Sequence, residues 1–256
     1  MSLHKDYILR IAENGTRIDR RKADEFRQIE IEENPIEKAE GSARVKIGKT
    51  DVIVGVKLDV GEPFPDKPDE GVLMTGAELS PLASPDFESG PPREEAIEIA
   101  RVIDRTIRES GCIDTKKLCI KEKEKVWMVY VDIQMINHDG NLIDASAIAA
   151  LVALLNAKFP EYDGERVNGE KKTNKSLPVK HKPVAVTFSK IGKNLFVDPC
   201  LSEEEAAGAR ITISTKDDGN VCAIQKGGGE PLTLEEIEKA VEMSIQKGKE
   251  IRKLIK

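Results

Sequence analysis

Cysteine and histidine are scarce in this 256-residue sequence, with four and three copies respectively. The cysteines form no C-x-x-C pair and have no histidine at zinc-ligand spacing; they are Cys112, Cys119, Cys200 and Cys222. This pattern excludes a zinc-finger type of site and a disulfide-bonded secreted scaffold. It favours reduced thiols in a cytosolic protein, and we expect neither a metal nor another cofactor.

Long hydrophobic runs are also missing. No stretch of 18 apolar residues occurs, which excludes a transmembrane helix of ordinary length. The first six residues include charged side chains and no apolar run follows them, so no signal peptide is predicted. We therefore expect a cytoplasmic protein with no membrane partner.

Charged residues, by contrast, are abundant. They make up 34% of the chain, against roughly 25% in ordinary globular proteins. The 46 acidic residues outnumber the 40 basic ones and give a net charge of −6. This excess argues against a protein that coats nucleic acid along its whole surface. Any binding of RNA or DNA requires a local basic patch or a site shared with a partner.

The two halves of the chain repeat one order of elements, a β-rich segment followed by a helix. The length allows one large domain or two modest ones, and an almost wholly apolar helix is predicted from Asp144 to Lys158. Hydrophobicity falls and lysines accumulate from Glu161 to Lys182, which indicates a boundary. The prediction is an α+β fold of two β-α lobes, formed by residues 1–160 and 183–256 and joined by a connecting segment over 161–182.

A striped helix is predicted from Pro91 to Gly111. Its apolar residues recur at helical spacing and form one face; they are Ala96, Ala100, Ile103 and Ile107. Three arginines form a stripe about 140° around the helix from that face; they are Arg101, Arg105 and Arg108. One face of this helix is therefore expected to be buried, and the other carries three guanidinium groups.

The arginine stripe has two interpretations. Arginines one turn apart repel each other, which costs a helix roughly 0.2–0.5 kcal/mol per pair, and an anion lying across the stripe would remove that cost. Arginine suits phosphate in particular, because its planar fork donates two hydrogen bonds and keeps its charge. Alternatively, Glu98 and Glu109 form ion pairs with Arg101 and Arg105, and the stripe is a solvated helix face.

Four motifs occur in order along the chain: Gly15-Thr16-Arg17-x-Asp19-x-Arg21, Leu79-Ser80-Pro81-Leu82-Ala83-Ser84, Gly90-Pro91-Pro92 and Ala100-Arg101-Val102-Ile103-Asp104-Arg105. Together they resemble the RNase PH family, and the resemblance covers nearly the whole chain. More narrowly, the chain is similar to the non-catalytic RNase PH-like subunits of archaeal exosomes. The resemblance implies an RNase PH domain related to domain 2 of ribosomal protein S5, followed by a smaller C-terminal RNase PH domain.

The same resemblance implies an assembly. The chain would alternate with a catalytic RNase PH-like subunit in a hexameric ring, a trimer of heterodimers that carries RNA-binding cap proteins. Such a ring degrades single-stranded RNA from its 3′ end, with inorganic phosphate as the attacking group. The stripe positions that match the family are Arg101 and Arg105, with Arg108 as a looser candidate, and they would contact RNA at the shared active site.

The chain departs from the active family members at the start of its apolar helix. Active members have Gly-Gly-Ser/Thr-Arg-Thr-Ala there, and this motif holds phosphate at a helix N-terminus. Here Leu142 replaces the hydroxyl residue, Ile143 replaces the arginine, and Asp144 adds a negative charge. A like charge about 4 Å from phosphate costs on the order of 4 kcal/mol at an effective dielectric near 20. We expect a degenerate phosphate site, with Asp144 as the N-cap of its helix.

A second departure concerns a pair of carboxylates. Active members use two aspartates six positions apart to coordinate metal and transfer protons, and the matching residues here are Asp198 and Glu204. This vestigial pair alone does not exclude catalysis, but the missing phosphate cradle does. Two alternatives are weighed against this interpretation. One is a self-contained phosphorolytic 3′–5′ exoribonuclease that trims tRNA 3′ ends, and the sequence Leu142-Ile143-Asp144 argues against it. The other is a structural RNA- or ribosome-associated binding module on an S5-like fold, and the acidic net charge and the localised arginine stripe argue against it.

Overall fold

A mixed sheet forms the centre of the first lobe in the computed structural model, which describes residues 3–255. The elements up to the middle of the chain are α1 (Leu3–Glu13), β1 (Ile29–Glu33), β2 (Gly41–Ile47), β3 (Thr50–Gly61), β4 (Val72–Glu78), α2 (Glu94–Glu109), a 3-10 helix (Thr115–Leu118), β5 (Cys119–Lys121), β6 (Lys125–Asn137) and α3 (Leu142–Asn156). The strands follow the order β1-β2-β3-β6-β4, with β5 paired to β6. Only β4 is parallel to its neighbour, because α2 lies in the connection from β4 towards β6.

The second lobe is built on a smaller antiparallel sheet. The remaining elements are β7 (Lys158–Tyr162), β8 (Val167–Ser176), β9 (Val184–Ile191), β10 (Asn194–Val197), α4 (Leu201–Ala206), β11 (Ala209–Thr215), β12 (Val221–Gly228) and α5 (Leu234–Arg252). The sheet has the order β10-β9-β11-β12. Helix α5 begins at a capping box, in which Thr233 and Glu236 each accept a hydrogen bond from the main-chain N–H of the other. The predicted α+β fold of two β-α lobes is confirmed.

Helix α3 is the central element of the molecule. Every residue from Leu142 to Leu154 is buried, and the helix packs against β2 and β3 of one sheet and against β9 of the other. The predicted buried helix is therefore present, but its start was placed wrongly. It begins at Leu142 with Asn141 as its N-cap, so Asp144 lies within the first turn and is not the cap. Asn141 adopts a left-handed conformation with φ of 56°, which asparagine tolerates better than most residues.

The segment between the two halves is not an irregular linker. Strands β7 and β8 pair as an antiparallel hairpin, and this hairpin was missed because its residues are mostly exposed and polar. One hydrophobic cluster runs through both lobes and contains Val54, Ile148, Phe188 and Ile213. The division into residues 1–160, 161–182 and 183–256 stays a prediction.

Helix α1 packs on the second lobe although it opens the chain. Its Ile8 and Ala12 form a separate buried cluster with Ile191, Phe196 and Ala206. The Nδ2 atom of Asn194 donates a hydrogen bond of 2.7 Å to the carbonyl of Ala12. This contact brings the segment that follows α1, including Arg17, Arg21 and Arg27, against the second lobe. Within residues 3–255, no helix is both long enough and apolar enough to span a membrane.

Candidate nucleic-acid interface

The arginine stripe lies on the exposed face of α2, as the sequence pattern predicts. The helix is shorter than expected, running from Glu94 to Glu109, because both prolines precede it. Its buried face consists of Ala96, Ile99, Val102, Ile103, Thr106 and Ile107. Ala100, which was predicted to join that face, is only half-buried. Arg101 and Arg105 are exposed on the other side.

Neither Arg101 nor Arg105 has an ion-pair or hydrogen-bond partner among residues 3–255. The alternative interpretation, in which Glu98 and Glu109 neutralise them, is therefore wrong for this structure. Glu98 instead forms a 2.7 Å ion pair with Nη2 of Arg210, from the second lobe. The two arginines keep their full hydrogen-bonding capacity for a ligand.

Two open depressions flank these arginines. The first, of about 510 Å³, lies between α2 and the edge strand β4 and includes Thr75 and Ala77. The second, of about 390 Å³, lies between α2 and β12 and includes Gln225. Arg101 and Arg105 line both. They therefore form the ridge between two grooves that are open to solvent.

Arg108, the third arginine of the predicted stripe, has a structural role. Its guanidinium forms two hydrogen bonds with the carboxylate of Asp104, at 2.8 and 3.0 Å, and a third with the carbonyl of Leu73 at 3.1 Å. The pKa of Arg108 is raised, chiefly by its hydrogen bond with Asp104. Arg108 thus joins α2 to β4 and has fewer free N–H donors than Arg101 or Arg105.

The start of α3, the predicted degenerate phosphate site, is closed by protein. Leu142 and Ile143 are buried, and Asp144 is fully buried. The Asp144 carboxylate accepts hydrogen bonds from the main-chain N–H of Thr187 at 2.9 Å, from its hydroxyl at 2.7 Å, and from Nδ2 of Asn141 at 2.9 Å. Burial raises the pKa of Asp144 to about 7, although these hydrogen bonds oppose the shift.

Asp198, one of the two vestigial carboxylates, is fully buried beside this helix start. Its Oδ2 accepts from Nη1 of Arg21 at 3.0 Å, and its Oδ1 accepts from Nη2 of Arg27 at 2.8 Å and from Nδ2 of Asn141 at 2.7 Å. The residue adopts a left-handed conformation with φ of 47°. Asp198 is therefore an internal anion, already held by the cationic groups nearest to it.

A second buried ion pair supports the same region. The guanidinium of Arg17 donates to both carboxylate oxygens of Glu203, at 2.8 and 2.5 Å, and to the carbonyls of Val197 and Asp198. Arg17 and Arg21 belong to the first motif quoted above. That motif therefore binds the segment after α1 to the second lobe. Sequence reasoning missed Arg27 and Glu203, because their partners are more than 170 residues away.

Glu204, the other vestigial carboxylate, points towards the same helix start. Its Oε1 accepts a 2.8 Å hydrogen bond from the main-chain N–H of Asn141. Burial raises the pKa of Glu204 to about 7. Asp198 and Glu204 are thus both near Asn141, but they contact different atoms of it. Across residues 3–255, no group of three or more His, Cys, Asp or Glu side chains is arranged to hold a metal ion.

Comparisons with known proteins agree on one family. Residues 25–160 match domain 1 of the 3′ exoribonuclease family, RNase PH, and residues 181–247 match domain 2. The exosome complex component Rrp42 of Methanosarcina mazei is 50% identical over 253 residues, which cover 99% of this chain and 93% of the relative.

Solved structures give the same result. One chain of an Archaeoglobus fulgidus exosome with RNA bound to the active site superimposes with a TM-score of 0.93 at 48% identity, over 99% of this chain and 98% of that chain. A chain of an archaeal exosome core gives a TM-score of 0.88 at 44% identity, over 99% and 96%. Both matches span the two lobes described above. The chain therefore belongs to the RNase PH family of 3′ exoribonucleases.

Proposed function

We propose that this chain is the non-catalytic subunit of an archaeal exosome core, a phosphorolytic 3′–5′ exoribonuclease ring. The proposal rests on one observation: two pairs of arginines differ in whether the chain itself binds their guanidinium groups. Arg21 and Arg27, at the degenerate phosphate site, are bound to the chain's own Asp198, whereas Arg101 and Arg105 are exposed and have no hydrogen-bond or ion-pair partner in the described part of the chain. The cationic groups at the position of the family's phosphate site are therefore already paired, whereas those on the α2 surface are available to a ligand.

The state of the α3 N-terminus supports the proposed absence of catalysis. A phosphate at a helix N-terminus requires main-chain N–H groups that are free to donate to it. Here the N–H of Asn141 donates to Glu204, and that of Asp144 is capped by Oδ1 of Asn141. The buried carboxylate of Asp198 adds negative charge nearby. Without a bound phosphate, phosphorolysis has no nucleophile.

RNA binding is assigned to Arg101 and Arg105. They are four residues apart on one helix, which places them about 6 Å apart along its axis at 1.5 Å per residue. This distance is close to that between successive phosphates of an extended strand, so each arginine can hold one phosphate. The open grooves on either side leave room for a single strand to cross the ridge.

The proposed partner is a catalytic RNase PH-like subunit, which alternates with this chain in a hexameric trimer of heterodimers. The chain would structure the partner's active site and present Arg101 and Arg105 to the RNA that enters it. RNA-binding cap proteins would complete the particle in the cytoplasm. The similarity to a chain from an exosome with RNA bound to the active site supports this assignment.

The test is a reconstitution with a catalytic paralogue. Phosphate-dependent release of nucleoside diphosphates from single-stranded RNA is measured for this chain alone, for the paralogue alone and for the mixture, while native mass spectrometry gives the stoichiometry. We expect no release by this chain, a 3:3 assembly, and faster release by the mixture than by the paralogue. Release by the pure chain, or a mixture that remains a simple heterodimer, would contradict the proposal.

A further inference from the structure

Helix α2 is bonded to the second lobe at two points. Towards its start, Oε1 of Glu98 forms a 2.7 Å ion pair with Nη2 of Arg210. Towards its end, the hydroxyls of Thr106 and Ser214 share a 2.7 Å hydrogen bond, and both residues are buried. Arg210 and Ser214 both belong to β11. One strand of the second lobe therefore holds a helix of the first lobe.

The two bonds match in their spacing along the helix and along the strand. Glu98 and Thr106 are eight residues apart on α2, which is about 12 Å at 1.5 Å per residue. Arg210 and Ser214 are four residues apart on β11, which is about 13 Å at roughly 3.3 Å per residue, and their side chains lie on one face of the strand. The helix therefore cannot slide along β11 while both bonds are in place.

Arg101 and Arg105 lie between these two points of attachment. They follow Glu98 by three and seven residues, which is about 4.5 and 10.5 Å along the helix axis. Both arginines and Glu98 line the groove between α2 and β12, together with Gln225. Nε2 of Gln225 donates a 3.2 Å hydrogen bond to the same Oε1 of Glu98. The location of the two guanidinium groups therefore depends on the second lobe as well as on the first.

The Arg210 side chain lies across Gly227, its cross-strand partner in β12. A Cβ atom at Gly227 would be 3.0 Å from Nη2 and 3.3 Å from Nε of Arg210, which is tighter than ordinary packing. Gly227 does not have a positive φ, so glycine is needed here for space and not for its backbone conformation. The sheet thus leaves room for a guanidinium that reaches from β11 to Glu98 on α2.

The ion pair itself contributes little to stability. The side chains of Glu98 and Arg210 are 30% and 26% exposed, and ion pairs that water reaches are weak. Burial opposes the charge on Glu98, but the hydrogen bond and the positive charge of Arg210 hold its pKa below the usual value. Glu98 is therefore a carboxylate three residues before Arg101, and its charge alone would repel an RNA phosphate there.

We propose that Glu98, held by Arg210, is a positioning residue for RNA binding. It fixes α2 on the second lobe in the place where Arg101 and Arg105 both meet the RNA, and it does not contact the RNA itself. This inference rests on the proposed function, because it concerns how the two arginines are held. The competing view is that the pair only joins the two lobes and affects RNA through its charges.

The experiment uses rings reconstituted with the catalytic paralogue and purified intact, so that a loss of assembly is not counted as a loss of affinity. RNA affinity, kcat and KM are measured for the wild type, Glu98→Ala, Arg210→Ala and the double variant. The control is Glu109→Ala, which removes the same charge from an exposed position of the same helix. Melting temperatures are recorded for all of them, and little change is expected because the pair is partly exposed.

The two views predict opposite signs for Glu98→Ala. If the pair acts only through its charges, Glu98→Ala tightens RNA binding, Arg210→Ala weakens it, and the two effects add. If Glu98 positions the helix, each single change weakens RNA binding by about threefold to tenfold, and the double variant is no weaker than either. KM should then rise while kcat is unchanged. Glu109→Ala should not weaken binding.

A last comparison separates this inference from the proposed function. In rings that carry Arg101→Ala/Arg105→Ala, adding Glu98→Ala should cause no further loss of RNA affinity. If the two arginine changes themselves leave the affinity unchanged, the proposed RNA-binding role fails, and the positioning role fails with it. If they weaken binding but Glu98→Ala alone tightens it or leaves it unchanged, only the positioning role is overturned.

Discussion

Asp198 and Arg27 are joined by three hydrogen bonds. The main-chain N–H and Nε of Arg27 donate to Oδ2 of Asp198 at 2.8 and 2.9 Å, and Nη2 donates to Oδ1 at 2.8 Å. Burial opposes the charge on Asp198, but the hydrogen bonds and the positive charge of Arg27 hold its pKa below the usual value. The pair is a fixed part of the fold, and it ties the segment after α1 to the second lobe.

Removing the Asp198 carboxylate should therefore destabilise the protein strongly. Asp198→Ala leaves the guanidinium groups of Arg21 and Arg27 without their shared anion, and breaking a buried pair in this way typically costs about 3–5 kcal/mol. Urea denaturation followed by circular dichroism measures the loss. Asp218→Ala is a control at an exposed aspartate, and little change is expected there. Equal free energies of unfolding for the two variants would show that the ion pairs of Asp198 with Arg21 and Arg27 do not stabilise the fold.

The double change Arg101→Ala/Arg105→Ala should weaken RNA binding by the assembled ring. Each phosphate contact contributes about 0.7 to the salt dependence of single-strand binding, so the slope of log affinity against log salt should fall by about 1.4. Assembly and melting temperature should be unchanged, because neither side chain has a hydrogen-bond or ion-pair partner within residues 3–255. Affinity is measured on purified rings at several salt concentrations.

The matched control for the arginines is Lys116→Ala/Lys117→Ala, which removes two positive charges from the exposed 3-10 helix. Its affinity and slope should stay near those of the wild type. The single change Arg108→Ala should reduce stability more than RNA affinity, since Arg108 bonds to Asp104 and Leu73. An unchanged affinity and slope in the double arginine variant would remove RNA binding from α2.

The contribution of Asp144 and Glu204 to stability should fall as the pH rises from about 4 to about 7. Asp144 and Glu204 have folded-state pKa values of about 7, above their ordinary values of 3.8 and 4.5. The folded state then binds more protons than the unfolded state in this window, so stability is lost as each group ionises. Asp198 acts in the opposite sense, because its lowered pKa adds stability that is lost as the pH falls through the acidic range.

Asp144→Asn tests this pH dependence. The Thr187 hydroxyl can reverse its hydrogen bonds, because it also faces the Thr212 hydroxyl at 2.8 Å, and so the amide can be accommodated. Urea midpoints between pH 4 and 8 should be less pH-dependent in Asp144→Asn, and least so when Glu204→Gln is added. A double variant as pH-dependent as the wild type would assign the effect to other groups.

Restoring one family residue should not restore catalysis. In Ile143→Arg the new guanidinium replaces a buried apolar side chain, and Asp144, Glu204 and Asn141 still occupy the groups that phosphate would need. We expect no phosphate-dependent release of nucleoside diphosphates by this variant alone, together with a loss of stability from the buried charge. Measurable release would show that the closed helix start opens readily.

Local patterns in the sequence were sufficient for much of the fold. The period of α2 and the apolar run of α3 are both properties of neighbouring residues, and both predicted helices are present. The exposed Arg101 and Arg105 were found in the same way. Helix α4 was missed because six residues carry too little periodicity.

Local sequence patterns could not predict the polar cluster around Asp198. Asp198 is held by residues 171 and 177 positions earlier, and no local spacing relates them. The expected pair of Glu98 with Arg101 fails for the same reason, since the partner of Glu98 is Arg210 on another element. Asp144 was taken for a helix cap because the left-handed turn at Asn141 cannot be recognised from composition alone.

The docking of α1 on the second lobe imposes an order on the biogenesis of the protein. Asn194 and Ala12, which meet through a hydrogen bond, are 182 positions apart. At roughly 5–20 residues per second, translation leaves α1 without its docking surface for on the order of 10 to 40 s. Throughout that interval Ile8 and Ala12 lack the buried contacts that they make in the folded protein with Ile191, Phe196 and Ala206. By its end, the strands of the first sheet and α3 have all been synthesised. Helix α1 is thus among the last elements of the fold to reach its final position.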